Sequence, residues 1–183
     1  MKLGPTLLAA LAIALLGGML PAAAQGFSLR TPAFAPGGTM PGWTAYGAGG
    51  CSGENASPRL EWSGVPAGTK SFVLTVYDPD APVPGGWWHW VRYDVPAGLR
   101  SLPAGSRGGS DGRDGTNTFG TAAYGGPCPP RGDQPHHYHF VLRALDIPTV
   151  GASAATTGPQ LERLVAGHVL GEARLTGRFG RPR

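Results

Sequence analysis

The run Ser71-Phe-Val-Leu-Thr-Val-Tyr-Asp-Pro-Asp-Ala-Pro82, continued by Val83-Pro-Gly-Gly86 and Trp87-Trp-His-Trp-Val-Arg-Tyr-Asp-Val-Pro96, organises this chain. Phe72 to Tyr77 is a nearly continuous stretch of apolar, β-branched and aromatic residues that halts at a proline cluster, which cannot donate to a β-ladder. It reads as a buried strand. Trp88 to Tyr93 reads as a second strand, with Trp88, Trp90 and Arg92 on one face and His89, Val91 and Tyr93 on the other. Asp78 and Asp80 then fall just past the end of the first strand, and His89 at the start of the second. Polar groups crowded at strand ends beside aromatic rings predict a binding pocket rather than a core.

On the amino-terminal side of this hairpin, Leu60 and Trp62 alternate with charged residues as in a half-buried strand, and Phe27 to Arg30 gives a weaker strand signal. Asn55-Ala56-Ser57 has the form of a glycosylation acceptor, but Pro58 follows it, and Asn55 reads as a turn former. On the carboxyl side, Ala97 to Pro135 is a long glycine-rich connection ordered at best by a few contacts. Loops of that length in a compact domain are usually functional, and glycine amides can approach an anion closely. Arg131-Gly132-Asp133 within it reads as chance. His136 to Ala144 is the next strand, with His136, Tyr138 and Phe140 on one face and His137 and His139 on the other. Gln160 to Ala173 carries Leu161, Leu164, Val165, His168 and Val169 at helical spacing, with Pro159 suited to a first turn. One amphipathic helix is predicted there, with His168 as a core histidine on its apolar stripe, and Leu175 to Phe179 as a short last strand.

The totals suit one domain: 183 residues, 41% hydrophobic, with 31 Gly and 19 Pro punctuating short apolar runs rather than forming a repeat. The formal charge of +4 comes from 15 basic and 11 acidic residues scattered without a cluster, so no nucleic-acid stripe is present. Met1 to Ala24 has one basic residue, Lys2, an apolar segment and then Ala22-Ala23-Ala24, the pattern of a cleaved secretory leader. Residues 25–183 are therefore expected to form a single exported domain, periplasmic or secreted, with no transmembrane span once the leader is removed. Cys51 and Cys128 both lie in that part, and an even pair in an oxidising compartment predicts one disulfide, two unpaired buried thiols being the alternative.

Three chemistries compete for the polar residues. His137 and His139 on one strand resemble a paired metal ligand set, but no Glu stands shortly downstream and the cysteines read as structural, so no metal and no cofactor is expected. Asp78 with His89 could serve a hydrolase, third in rank, yet nucleophile-elbow, phosphate-loop and dinucleotide patterns are missing. Recognition of a small anion uses more of the residues at once: imidazoles and loop N–H groups supply donors, while Asp78 accepts from one histidine nitrogen, orients that ring and raises its pKa.

These blocks resemble the phosphatidylethanolamine-binding protein family, in its bacterial Raf-kinase-inhibitor-like branch. The matching stretches are Ser57 to Trp62, Asp78-Pro-Asp-Ala-Pro82, Trp87-Trp-His-Trp90 running to Pro96, Tyr124-Gly-Gly-Pro-Cys-Pro-Pro130 and His136-His-Tyr138. The resemblance implies a mainly β, two-sheet fold with a helix near the carboxyl end, and an anion pocket built from Asp78, His89, His136 and the backbone at Gly126. Two positions depart from the pattern: His137 stands where Arg is common, and Phe179 where the branch often has Tyr. The expected function is that of a non-enzymatic exported protein binding a small anionic ligand or phospholipid headgroup. The alternative is a protein-interaction role, such as protease inhibition or partner capture, through the loops between Gly105 and Arg113.

Overall fold

The computed structural model describes residues 26–183; the expected leader at 1–24 lies outside them. Among the described residues, no helix is long and apolar enough to cross a membrane. The strands are β1 (Ser28–Arg30), β2 (Leu60–Ser63), β3 (Ser71–Asp78), β4 (Trp87–Pro96), β5 (Ser101–Leu102), β6 (Arg113–Asp114), β7 (His136–Leu145) and β8 (Val169–Phe179), with helix α1 at Gly158–Val165. They form a three-stranded sheet in the order β1-β2-β5 and a five-stranded sheet in the order β6-β4-β3-β7-β8. The fold is mainly β, as the sequence predicts.

β3 lies at the centre of the larger sheet and is covered on both faces, which is why its sequence is continuously apolar rather than alternating. Between the sheets, Leu60, Trp62 and Leu102 pack against Phe72, Leu74, Phe140 and Leu142. On the other face, Val73, Val91 and Tyr93 meet Leu161 and Val165 of α1.

The helix is shorter than predicted. It starts at a capping box in which the Thr157 N–H donates to Gln160 Oε1 at 2.8 Å, and it ends at Val165. Gly167 adopts a φ of +85°, the left-handed conformation that commonly stops a helix, and Val169–Phe179 then runs as β8 along β7. Ala173 and Leu175 are buried between the sheets, while Leu164, assigned to the apolar stripe, is 40% exposed. His168 is not a core residue: it sits in the turn, and its Nδ1 lies 2.9 Å from Asp146 Oδ1 in an exposed pair.

A β-bulge corrects the facing of β4. Val76 pairs with Trp90 and Tyr77 with Trp88, so His89 is an extra residue with no partner on β3. Alternation resets there. Val91 and Tyr93 pack toward α1 together with Trp88, whereas His89 turns with Trp90 to the opposite side, where it meets Tyr138 edge-on at 5.0 Å.

The connection from Ala97 to Pro135 is better ordered than its composition suggests. It contributes β5 and β6, and Arg92 of β4, completely buried, anchors it through Asp114, Asp111 and the Ser106 hydroxyl. The disulfide between Cys51 and Cys128 is formed, joining residues 77 apart in sequence.

Candidate functional site

Asp78 closes β3 and is 2% exposed. Its Oδ1 accepts from the Asp80 N–H at 2.8 Å, the local turn that short acidic side chains favour. Its Oδ2 accepts from His136 Nδ1 at 2.8 Å, 58 residues away at the start of β7. Asp78 therefore orients His136 and not His89, so the Asp78–His89 pair on which a hydrolase reading depends is not formed.

His89 is held by a different partner. Its Nδ1–H donates to the Gly125 carbonyl at 2.7 Å, and its own carbonyl accepts the Gly125 N–H at 2.8 Å. Burial pushes its pKa down to about 4, against weaker upward pulls from the Gly125 carbonyl and the Asp78 carboxylate. The ring is thus neutral near pH 7, with Nε2 as an acceptor. In the unfolded chain the same group titrates near its ordinary value of about 6.5. Between these values the unfolded state binds more protons, so stability falls as pH drops from 6.5 to 4, by about 3 kcal/mol. Urea unfolding midpoints measured across this window should show that loss, and His89→Gln should flatten it.

Gly126 has a different place from the one its sequence motif implies. Its N–H donates to Asn55 Oδ1 at 2.7 Å, and a Cβ there would lie 2.0 Å from the Thr44 carbonyl oxygen. With the Gly125 N–H also engaged, neither amide is free to meet a ligand. Asn55 adopts a φ of +53°, a left-handed geometry its short amide tolerates, and its Nδ2 lies 3.4 Å from the Tyr124 carbonyl. The turn former is thereby a clamp on the Tyr124–Pro130 segment.

Asp78, His89 and His136 line one cavity of about 370 Å³, walled by Tyr46, Trp87, Phe119 and Tyr138 together with Pro82, Val83, Pro129 and Pro130. Gly126 does not line it. Tyr46 stacks on Phe119 with ring centroids 4.3 Å apart, and Trp87 meets Phe119 edge-on at 5.2 Å. Sequence reasoning did not single out Tyr46 or Phe119, since isolated aromatics in Gly-rich loops carry no periodic signal. The Tyr138 hydroxyl and the Trp87 Nε1–H are buried without a protein hydrogen-bond partner. Burial, and after it the neighbouring Asp78 carboxylate, raises the Tyr138 pKa, so the phenol keeps its proton; its approach to Asp78 falls short of normal hydrogen-bond geometry.

At the rim, His137 stands in place of the common Arg and gives Asp80 both its backbone N–H and its Nδ1, each 2.7 Å from Oδ2. Burial acts to raise the Asp80 pKa, but the His137 contacts prevail and lower it. The Asp133 carboxylate lies 3.6 Å from His136 Nε2, a neighbour the sequence did not reveal. Phe179 pairs with His136 across β7 and β8 but lines the adjacent clefts, not the main cavity.

The chain is thus a two-sheet β protein with an aromatic-walled cavity at the ends of its central strands, lined also by two histidines and a buried Asp. The family model of phosphatidylethanolamine-binding protein matches residues 30–180, and the chain belongs to that family. The Escherichia coli protein YbcL is 45% identical over 133 residues, 69% of this chain and 73% of its own length. Its crystal structure, described as a new member of the mammalian PEBP family, superposes with a TM-score of 0.81 at 36% identity, covering 84% of this chain and 98% of that one. YbhB of the same organism is 45% identical over 135 residues, 71% of this chain and 85% of its own. LppC of Mycobacterium tuberculosis, named as a lipoprotein, is 36% identical over 157 residues, 86% of this chain and 74% of its own.

Proposed function

We propose that this chain is an exported, non-enzymatic binding protein whose cavity takes a small anionic group, phosphate-like or carboxylate, carried on an organic headgroup. The observation that carries this reading is the pair of buried donors on cavity-lining residues, the Tyr138 hydroxyl and the Trp87 indole N–H, that no protein acceptor satisfies. A buried donor left without a partner costs about 1–3 kcal/mol, which an incoming oxyanion would relieve. Neutral His89 would accept from a protonated phosphate oxygen through Nε2 or take up a proton on binding, and the aromatic walls would cover the organic part of the ligand. Asp78 already has both oxygens engaged, so its task is to hold His136 and the Asp80 turn. Export is supported by the leader pattern at 1–24, by the formed disulfide and by the lipoprotein name of LppC.

The test is a two-dimensional NMR titration of the protein with inorganic phosphate and with phosphoethanolamine, following backbone amides and indole N–H signals. Saturable shifts at Trp87, Tyr138 and the Asp78–Asp80 turn are expected. Binding should tighten as pH falls from 7 to 5, because both the proton on phosphate and the proton on His89 become easier to supply. His89→Ala should weaken binding at least tenfold. Millimolar ligand that moves no signal around the cavity would refute the anion reading.

A further inference from the structure

The disulfide is more than a staple between loops. Cys128 lines the main cavity, whereas Cys51 lines a second cleft of about 330 Å³ shared with Arg131 and Arg181, so the bond partitions two solvent-reachable spaces. Arg181, beyond the end of β8, places Nη1 in contact with both sulfurs, against Cys51 Sγ and 3.3 Å from Cys128 Sγ. The other hydrogen bond of its side chain among the described residues is to the Gly50 carbonyl at 3.1 Å, and its Nε is buried without a partner. The guanidinium charge is therefore directed at sulfur and not at a carboxylate. A cation in that position does little for the intact bond but favours a thiolate strongly once the bond opens.

We propose that Cys51–Cys128 is a thiol–disulfide exchange site for low-molecular-weight thiols, with Arg181 as the positioning residue that receives the Cys51 thiolate. A thiolate arriving through the main cavity attacks Cys128 Sγ. The S–S bond breaks, its electron pair leaves on Cys51 Sγ beside Arg181, and a mixed disulfide remains on Cys128. A second thiolate attacks the outer sulfur of that mixed disulfide, releasing the oxidised small disulfide and leaving Cys128 as a thiolate. Two small thiols thus give up one pair of electrons, and the protein disulfide takes up the same pair. The direction of attack follows from the leaving group, because the sulfur whose thiolate is better stabilised departs faster. Opening the bond removes the covalent tie between the segment carrying Tyr46 and Gly49 and the Pro129–Pro130 wall, leaving the Tyr46 N–H to Pro127 carbonyl bond to hold them, so exchange would also loosen the cavity rim. The proposal does not depend on which ligand the cavity takes.

Two measurements on the purified protein test it. In redox buffers of reduced and oxidised dithiothreitol, read by thiol alkylation and mass, Arg181→Gln should shift the equilibrium at least tenfold toward the disulfide, about 30 mV toward more reducing potentials. Arg181→Lys, which keeps the charge, should recover most of that shift. Independently of any variant, substoichiometric glutathione followed by acid quenching and peptide mapping should place glutathione on Cys128. A midpoint for Arg181→Gln within threefold of the unaltered protein, failure of Arg181→Lys to recover the shift, or glutathione found chiefly on Cys51 overturns the proposal.

Discussion

Arg92→Ala is expected to destabilise the protein by about 3–5 kcal/mol, the cost of breaking a buried ion pair from one side. The Arg92 side chain has no exposure, and its Nε and Nη2 each lie 2.9 Å from one of the two Asp114 oxygens, in a bidentate fork. Asp114 is itself 4% exposed and also accepts from Trp90 Nε1 at 2.9 Å, while Asp111 stands 3.4 Å from Nη1. Truncation would leave Asp114 charged and poorly solvated, and would release the segment from Ser106 to Asp114 that Arg92 anchors. For a domain of this size each kcal/mol corresponds to about 2–4 °C in Tm, so thermal unfolding should fall by roughly 10 °C. Adding Asp114→Asn should recover part of the loss, because the stranded charge is then gone. A Tm for Arg92→Ala within about 2 °C of the parent would show that the cluster contributes little.

Gly126→Ala is expected to remove upwards of about 3 kcal/mol and to abolish ligand binding, although the residue presents no free donor to the cavity. A Cβ at this position would lie 2.0 Å from Thr44 O, 2.6 Å from Ala45 C and 2.6 Å from Tyr46 N, all backbone atoms that cannot swing aside. The strand-like approach of Tyr46 to this segment, with its N–H 3.0 Å from the Pro127 carbonyl, would have to open, and Tyr46 forms one wall of the cavity. Gly98→Ala is the control, since a Cβ there meets nothing within 4 Å; it should change stability by less than about 0.5 kcal/mol. Denaturant midpoints and the phosphate titration on both variants check the two statements together. Equal stability of the two variants would contradict the close approach.

The central strands were legible because their signals are local. β3 is nearly all apolar since it is covered on both sides, and β7 alternates from His136 to Phe140, so His136, Tyr138 and Phe140 face inward as their spacing predicts. The misreading at 160–173 arose because Leu164, His168 and Val169 fit a helical stripe when read together with Leu161 and Val165. Gly167 was the available stop signal, and its positive φ is what separates α1 from β8. The facing of His89 had no comparable cue: a bulge is an extra residue relative to a partner strand, and nothing in Trp87-Trp-His-Trp90 alone shows how β3 will pair with it.

Residue types and short-range periodicity were enough to predict the β class, the hairpin with acidic groups at its turn, a disulfide weighed against two free thiols, and Asp78, His89 and His136 as residues around which a cavity would form. Those properties follow from side-chain chemistry and from a repeat of two along the chain. The pairings that define the site required the fold. Asp78 reaches His136 rather than His89, His89 is desolvated and tied to Gly125, the Gly126 amide belongs to Asn55, and Arg181 lies against the disulfide. Each of these joins residues 36 to 130 positions apart, so each depends on strand register and loop closure, which local pattern does not contain.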